Sequence, residues 1–373
     1  MQIKRNILLN PGPTTTTDTV KMALVVPDIC PREKEFVHVM ADVRNGLLKV
    51  VNADDDYTCI LFAGSGTAAM DAVINSVVPP DKKILIINNG AYGERMVKIA
   101  KAYNMGCVEL KFPWTERPDL TKVEKTLEDD SKITHIAIVH HETTTGLLNP
   151  LKEMVDIARS RGKTLIADTI SSFAGIPIDV RSDHMDFMIS TSNKCIQSMA
   201  GVSFVLCKKS EIEKTARYPL RSFYLNLYQQ YKYFEEHGEM QFTPPVQVIY
   251  ALRQAIKEYF EEGIENRYHR YCHNWKVLTH GLKDLGFRLL LKEEIHSKIL
   301  TTVIEPDHER YDFDLLHDLL IERGFTIYPG KIHNNNTFRI ANMGSIDHKD
   351  MEAFLEALAN SMDKIGIKEP LYK

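Results

Sequence analysis

No CxxC pair occurs in these 373 residues, and the six cysteines at 30, 59, 107, 195, 207 and 272 are widely scattered. That spacing argues against a disulfide framework and against a structural zinc site. It suits free thiols packed as small apolar groups in a reducing, cytoplasmic compartment. An apolar run of membrane-spanning length is also missing, so no membrane contact is expected. The opening MQIKRNILLNPGP has neither the long apolar stretch nor the small-residue cleavage site of a secretory signal. Neither sign of charge prevails: 46 Lys plus Arg stand against 50 Asp plus Glu, a formal net charge of −4. Nucleic acid is therefore not the expected main partner. HExxH spacing is absent as well; in VHHETTTG the residues His140, His141 and Glu142 are adjacent, a poor arrangement for metal ligands.

What is present is the balance of an ordinary globular protein, 44% hydrophobic and 26% charged, long enough for one large core and a smaller domain. The segment FVHVMADVRNGLLKVV has helical apolar spacing. CILFAGSGTAAMDAVINSVV reads as strand, glycine turn and helix, and KKILIINNGAYGERMVKIAKAYN repeats that order. HIAIVHHETTTG, KTLIADTISSFAG, DFMISTSNK and GVSFVLCKK add further strands, several too apolar to be half exposed. This pattern predicts an α/β domain with a mainly parallel central sheet over residues 15–259. Helical patterns then dominate, and ILTTVIEP, DLLHDLLIERGFTIYPG and TFRIANMG mix strand with helix. They predict a smaller C-terminal α+β domain over 260–373, joined by the N-terminal arm 1–14.

Polar residues gather just after the strands, where such sheets hold ligands. In AGSGTAAM, Gly64 and Gly66 let the backbone approach an anion at a helix start, and Ser65 and Thr67 add hydroxyls. The turn lacks the Lys-Ser/Thr of a nucleotide P-loop and is not GxGxxG. Asp168 follows the apolar TLIA directly. It either caps a turn or faces a pyridine nitrogen, which a sheltered carboxylate keeps protonated. Lys194, in DFMISTSNK, is either a solvent-facing loop residue or an amine sheltered to condense with a carbonyl cofactor. One strand-helix-strand excursion separates it from Asp168 and allows both to reach one end of the sheet. Arg339, in TFRIANMG, lies on the surface or grips a carboxylate or phosphonate from the second domain. Tyr92 follows a strand and suits stacking on an aromatic ring, Thr143 to Thr145 could donate to a ring hydroxyl, and Thr243 sits in the extended FTPP. An anion site, an aromatic partner, a ring-nitrogen partner and an amine together suit pyridoxal 5'-phosphate better than a nucleotide.

These residues resemble the class V branch of fold-type I pyridoxal-phosphate enzymes. The likeness runs through LLNPGPT, GSGTAAMDAV, NNGAYGERM, HHETTTGLLNP, IADTISSFAG, STSNKCIQ, YPGK and FRIANMG, essentially the whole chain. Within that branch the chain is most similar to transaminases that act on 2-aminoethylphosphonate and pyruvate. The resemblance implies that Lys194 binds the cofactor aldehyde and that Asp168 holds the ring nitrogen. Ser65, Gly66, Thr67 and Ser192 would surround the phosphate, Tyr92 would lie over the ring, and Thr144 or Thr145 near its hydroxyl. It further implies a homodimer in which Thr243 completes the neighbouring subunit's phosphate site. Arg339 and, in the early loop DICPREKEF, Arg32 would meet the substrate. That loop, and Thr169 and Ile170 after Asp168, depart from the pattern where substrate selectivity resides. An alanine–glyoxylate or serine–pyruvate type of transaminase uses the same machinery. A cysteine desulfurase fits less well, because no cysteine follows Cys272 to serve a late mobile loop.

Overall fold

The computed structural model describes residues 4–330, 336–367 and 371–372; Lys331 of the YPGK stretch lies outside them. Helix α1 (Lys34–Val50) turns Phe36, Val39, Met40, Val43, Leu47 and Val50 inward, the three-to-four spacing of an amphipathic helix. A seven-stranded sheet follows: β1 (Tyr57–Ala63), β2 (Lys83–Asn88), β3 (Gly106–Lys111), β4 (Ile133–Val139), β5 (Thr164–Asp168), β6 (Phe187–Thr191) and β7 (Val202–Lys208). Its strand order is β1-β7-β6-β5-β4-β2-β3. β7 runs antiparallel to both neighbours, and the remaining pairs are parallel. Central strands such as Ile84–Ile87 are fully buried, as expected where helices cover both faces. Because β1, β4, β5 and β6 point the same way, Ala63, Val139, Asp168 and Thr191 all end at one edge. Two helices start there, α2 (Gly66–Val77) and α3 (Ala91–Ala102).

The excursion between β5 and β6 differs from expectation. It contains a tight turn after Asp168 and only a four-residue helix, Val180–Asp183, in place of a full crossover helix. The turn is held locally: Thr169 accepts from Ser172 and Phe173 N–H groups at 3.1 and 2.8 Å, and the Asp168 side chain accepts from Ile170 N–H at 2.8 Å.

After α4 (Val246–Glu262) and α5 (Ile264–Asp284) comes a three-stranded antiparallel sheet. Its members are β8 (Leu300–Ile304), β9 (Tyr328–Pro329) and β10 (Thr337–Ala341), in the order β8-β10-β9. Its core, which includes Leu278, Leu282, Val303, Phe338, Phe354 and Leu358, is separate from the core of the large sheet. The N-terminal arm belongs to this second core. Its strand Ile7–Leu8 pairs in parallel with Phe325–Thr326, and Leu9 accepts from Ala341 N–H at 2.6 Å. The arm then crosses to the large sheet, where Thr14 donates to the carbonyls of Asn193 and Lys194 at 3.2 and 3.1 Å. Buried Arg267 of α5 fixes the same loop from the other side, donating to the Cys195 carbonyl at 2.9 Å. Among the described residues, no helix is long and apolar enough to cross a membrane.

Candidate active site

The edge where β1, β4, β5 and β6 end encloses a cavity of about 150 Å³. Ser65, Gly66 and Thr67 form one wall. Gly64 has φ +149, a conformation that favours glycine, and a Cβ there would meet the Ala68 Cβ at 2.8 Å. Ser65 is the N-cap of α2, yet its hydroxyl makes no capping bond, so it stays available beside the free N–H groups of the first turn. A side chain at Gly66 would strike Ile170, with Cδ1 at 2.7 Å.

Asp168 and Lys194 line the same cavity. Burial pushes the Asp168 carboxyl up to about 6, opposed by the Ile170 N–H and by the positive charges of Arg95 and Lys194. Burial likewise pulls the Lys194 ammonium down to about 8; Asp168 opposes that shift, whereas Arg339 and Arg95 add to it. The Lys194 amine also donates to the Pro11 carbonyl of the arm. Gly12, at φ +135, leaves room for this: a Cβ there would run into the Lys194 side chain, with Cδ at 2.6 Å.

A second, smaller cavity of about 80 Å³ shares Tyr92, Arg95 and Lys194 with the first and is closed by Gly12, Thr144, Tyr328 and Arg339. Arg339 is 3% exposed. It donates to the Pro329 carbonyl at 2.8 and 3.2 Å and to the Thr143 carbonyl at 3.1 Å, so backbone carbonyls aim its guanidinium. Its Cζ lies 4.9 Å from the Tyr328 ring centre. Glu142 buttresses the junction of the two cavities. Its carboxyl accepts from the Thr144 hydroxyl at 2.7 Å and from Tyr92 N–H at 3.3 Å, and burial raises it to about 7.

Of the residues singled out in the sequence, Ser65, Gly66, Thr67, Tyr92, Thr143, Asp168 and Lys194 meet in the first cavity, and Thr144 and Arg339 meet Tyr92 and Lys194 in the second. Four lie elsewhere. The Ser192 hydroxyl is directed at the Met199 and Val202 carbonyls, and Thr145 accepts from Leu147 N–H at 3.4 Å inside its own turn. Arg32 pairs with Glu239 at 2.6 Å and donates to the Met240 and Gln241 carbonyls. Thr243 is exposed and lines neither cavity.

Two further residues, Arg95 and His141, reach the cavities without having been singled out for them. Arg95 lines both, donates to Thr67 Oγ1 at 3.0 Å and stacks over Tyr92 with its Cζ 4.6 Å from the ring centre. Its signal in GAYGERM is the three-residue spacing from Tyr92, which places both on one helical face. His141 lines the first cavity beside Val139 and Thr143. Its signal is the alternation of 139, 141 and 143 beyond β4, which continues a strand's two-residue period. Among the described residues, no group of three or more His, Cys, Asp or Glu is placed to hold a metal ion.

Residues 21–345 match the family model for aminotransferase class-V. The chain is 43% identical over 356 residues to the 2-aminoethylphosphonate–pyruvate transaminase of Phocaeicola vulgatus, covering 94% of this chain and 98% of that one. A protein of the same name from Vibrio vulnificus is 42% identical over 359 residues, covering 95% and 97%. Among solved structures, an alanine–glyoxylate aminotransferase from Nostoc sp. superposes with a TM-score of 0.89 at 28% identity, covering 97% of this chain and 96% of that one.

Proposed function

Because the chain belongs to the class-V aminotransferases, we propose that it moves the amino group of 2-aminoethylphosphonate to pyruvate, giving phosphonoacetaldehyde and L-alanine. Its architecture is that of the fold-type I pyridoxal-phosphate aminotransferases, with a large, mostly parallel sheet and a smaller C-terminal domain. On this reading residues 15–259 are the cofactor-binding domain, and 1–14 with 260–373 the smaller one.

The residues present suit pyridoxal phosphate. The first cavity offers a glycine-lined anion cradle, an amine whose proton affinity burial lowers and a buried carboxyl, along with unpartnered polar groups on His141 and Thr143. Ser65, Gly66 and Thr67 would hold the phosphate, Asp168 the ring nitrogen, Lys194 the aldehyde carbon, and Tyr92 one face of the ring. When bound, the cofactor supplies an electron sink conjugated to the carbon that carries the amino group.

The chain's own residues supply positioning and proton transfer. Lys194 Nζ, with its lowered proton affinity, is the base for the aminomethylene carbon of the donor. Asp168 keeps the ring nitrogen protonated. Arg339 grips the phosphonate of the donor in one half-reaction and the carboxylate of pyruvate in the other, since both are oxyanions that fit a guanidinium. Burial of the site excludes water during the proton transfers.

The observation that carries this reading is the convergence of Lys194, Asp168 and Arg339 on two adjoining cavities. The whole-length likeness to 2-aminoethylphosphonate–pyruvate transaminases supports the choice of substrates. A homodimer completes the proposal. Leu220, Phe223 and Tyr224 are exposed, Phe242 stacks on Tyr224 with ring centres 5.0 Å apart, and Thr243 follows directly. That aromatic surface suits a second copy, which would present its own Thr243 to this cradle. An alanine–glyoxylate type of reaction is the second reading, supported by the likeness to the Nostoc enzyme.

A donor panel on the cofactor-loaded protein tests the choice. Rapid bleaching of the visible band by 2-aminoethylphosphonate, restored by pyruvate with formation of alanine, is the expected result. Bleaching by alanine or serine but not by the phosphonate would overturn the substrate assignment and leave the transaminase reading intact.

A further inference from the structure

His141 has no role in the proton transfers or the anion contacts described above, yet it is 1% exposed, and neither ring nitrogen has a hydrogen-bond partner. A neutral imidazole carries one N–H donor and one lone-pair acceptor, and burying both unpaired loses their bonds to water with nothing in return. The neighbouring buried histidines are served better. His140 Nδ1 lies 3.0 Å from Ser172 Oγ, and His296 Nδ1 accepts from Lys298 N–H at 2.9 Å. The orphaned ring instead lines the first cavity, on the same strand extension as Val139 and Thr143 and together with Asp168 and Lys194. An aliphatic or phenyl side chain would fill that wall without the desolvation loss. A nitrogen is useful there only to a polar atom inside the cavity.

We propose that His141 is a direct hydrogen-bond partner of the bound cofactor, one imidazole N–H donating to the ring hydroxyl oxygen of pyridoxal phosphate. The inference rests on the cofactor assignment made above. Under that assignment the other polar ends of the cofactor have partners: the phosphate has Ser65 to Thr67, the ring nitrogen has Asp168 and the aldehyde has Lys194. The ring hydroxyl is what remains, to be met by His141 and by Thr143, whose buried Oγ1 is also unpartnered. Burial, together with His140, His296 and Lys194, holds the imidazole in its neutral form, so the contact is a plain hydrogen bond and adds no full charge to the site.

Equilibrium binding to the cofactor-free protein provides the test, using pyridoxal phosphate and its 3-deoxy analogue, which lacks the ring hydroxyl. His141→Phe and His141→Ala remove the donor by two steric routes, and His141→Asn retains an N–H; circular dichroism checks that each variant folds. The expected result is about tenfold weaker binding of pyridoxal phosphate by the Phe and Ala variants, partly recovered in the Asn variant. The analogue should bind the wild type and these variants alike. Equal weakening for both ligands, or none for pyridoxal phosphate, overturns the proposal. Failure of the wild type to bind pyridoxal phosphate at all would overturn the cofactor assignment instead, and this inference with it.

Discussion

The two cavities meet at Lys194 but are built on different principles. The inner one is walled by strand ends of the large sheet, and its charged groups, Asp168 and Lys194, are both moved toward neutrality by burial. The outer one is closed by the arm and the small sheet, and Arg339 there is held by backbone carbonyls of Pro329 and Thr143. Groups near neutrality can pass a proton at modest cost, which suits chemistry. Burial lowers Arg339 too, but a guanidinium starts so high that it keeps its charge for an incoming anion, and the carbonyls fix its aim, which suits capture. On the proposed function, the difference teaches that reaction and recognition fall to separate parts of the chain and are joined through one lysine.

Substitutions can break that division. Lys194→Ala should have the largest effect, lowering single-turnover conversion of the donor by on the order of 10⁴-fold. Stopped-flow absorbance would show this, and a small loss would remove the amine from the reaction. Arg339→Gln should act mainly on capture. Steady-state assays should find KM for the donor raised about ten- to a hundredfold, with kcat at saturation largely kept; a fall in kcat with KM unchanged would erase the distinction between the cavities. The smallest effect is a displacement in pH. Only the neutral amine attacks a carbonyl, and burial places Lys194 at about 8 instead of the usual 10.5. The rate at which cofactor-free protein reacts with pyridoxal phosphate should therefore climb with pH and level off above about 8. Asp168 opposes the lowering of Lys194, so Asp168→Asn should move the midpoint to lower pH. Movement to higher pH would contradict the electrostatic account.

Much of the inner cavity was legible in the sequence because its residues sit just beyond fully apolar strands. Asp168 closes TLIA and Lys194 follows FMIST by three residues, so parallel pairing alone brings them to one edge. The remainder depended on phase and on long-range contacts. Which of three consecutive threonines faces inward is decided by the turn at 142–146, and Thr143 lines the inner cavity whereas Thr145 bonds within the turn. Ser192 is adjacent to the right loop, but its hydroxyl turns to carbonyls at the start of β7 and before it, segments that no local pattern ties to it. Arg32, expected from the resemblance to meet the substrate, is committed to Glu239, 207 residues away. The α/β architecture was clear from buried runs such as Ile84–Ile87. The single antiparallel strand β7 was not, because strand direction leaves no mark on an apolar run.

The seating of the arm sets an order on assembly. Pro11 and Gly12 pack on the Lys194 side chain, but the strand that anchors them, Ile7–Leu8, pairs with Phe325–Thr326, and Leu9 bonds Ala341. On the ribosome, the large sheet and its lysine emerge well before those anchors. Until residue 341 has been made, the Lys194 amine stands uncovered, and the arm waits for strands far along the chain before it can close over it.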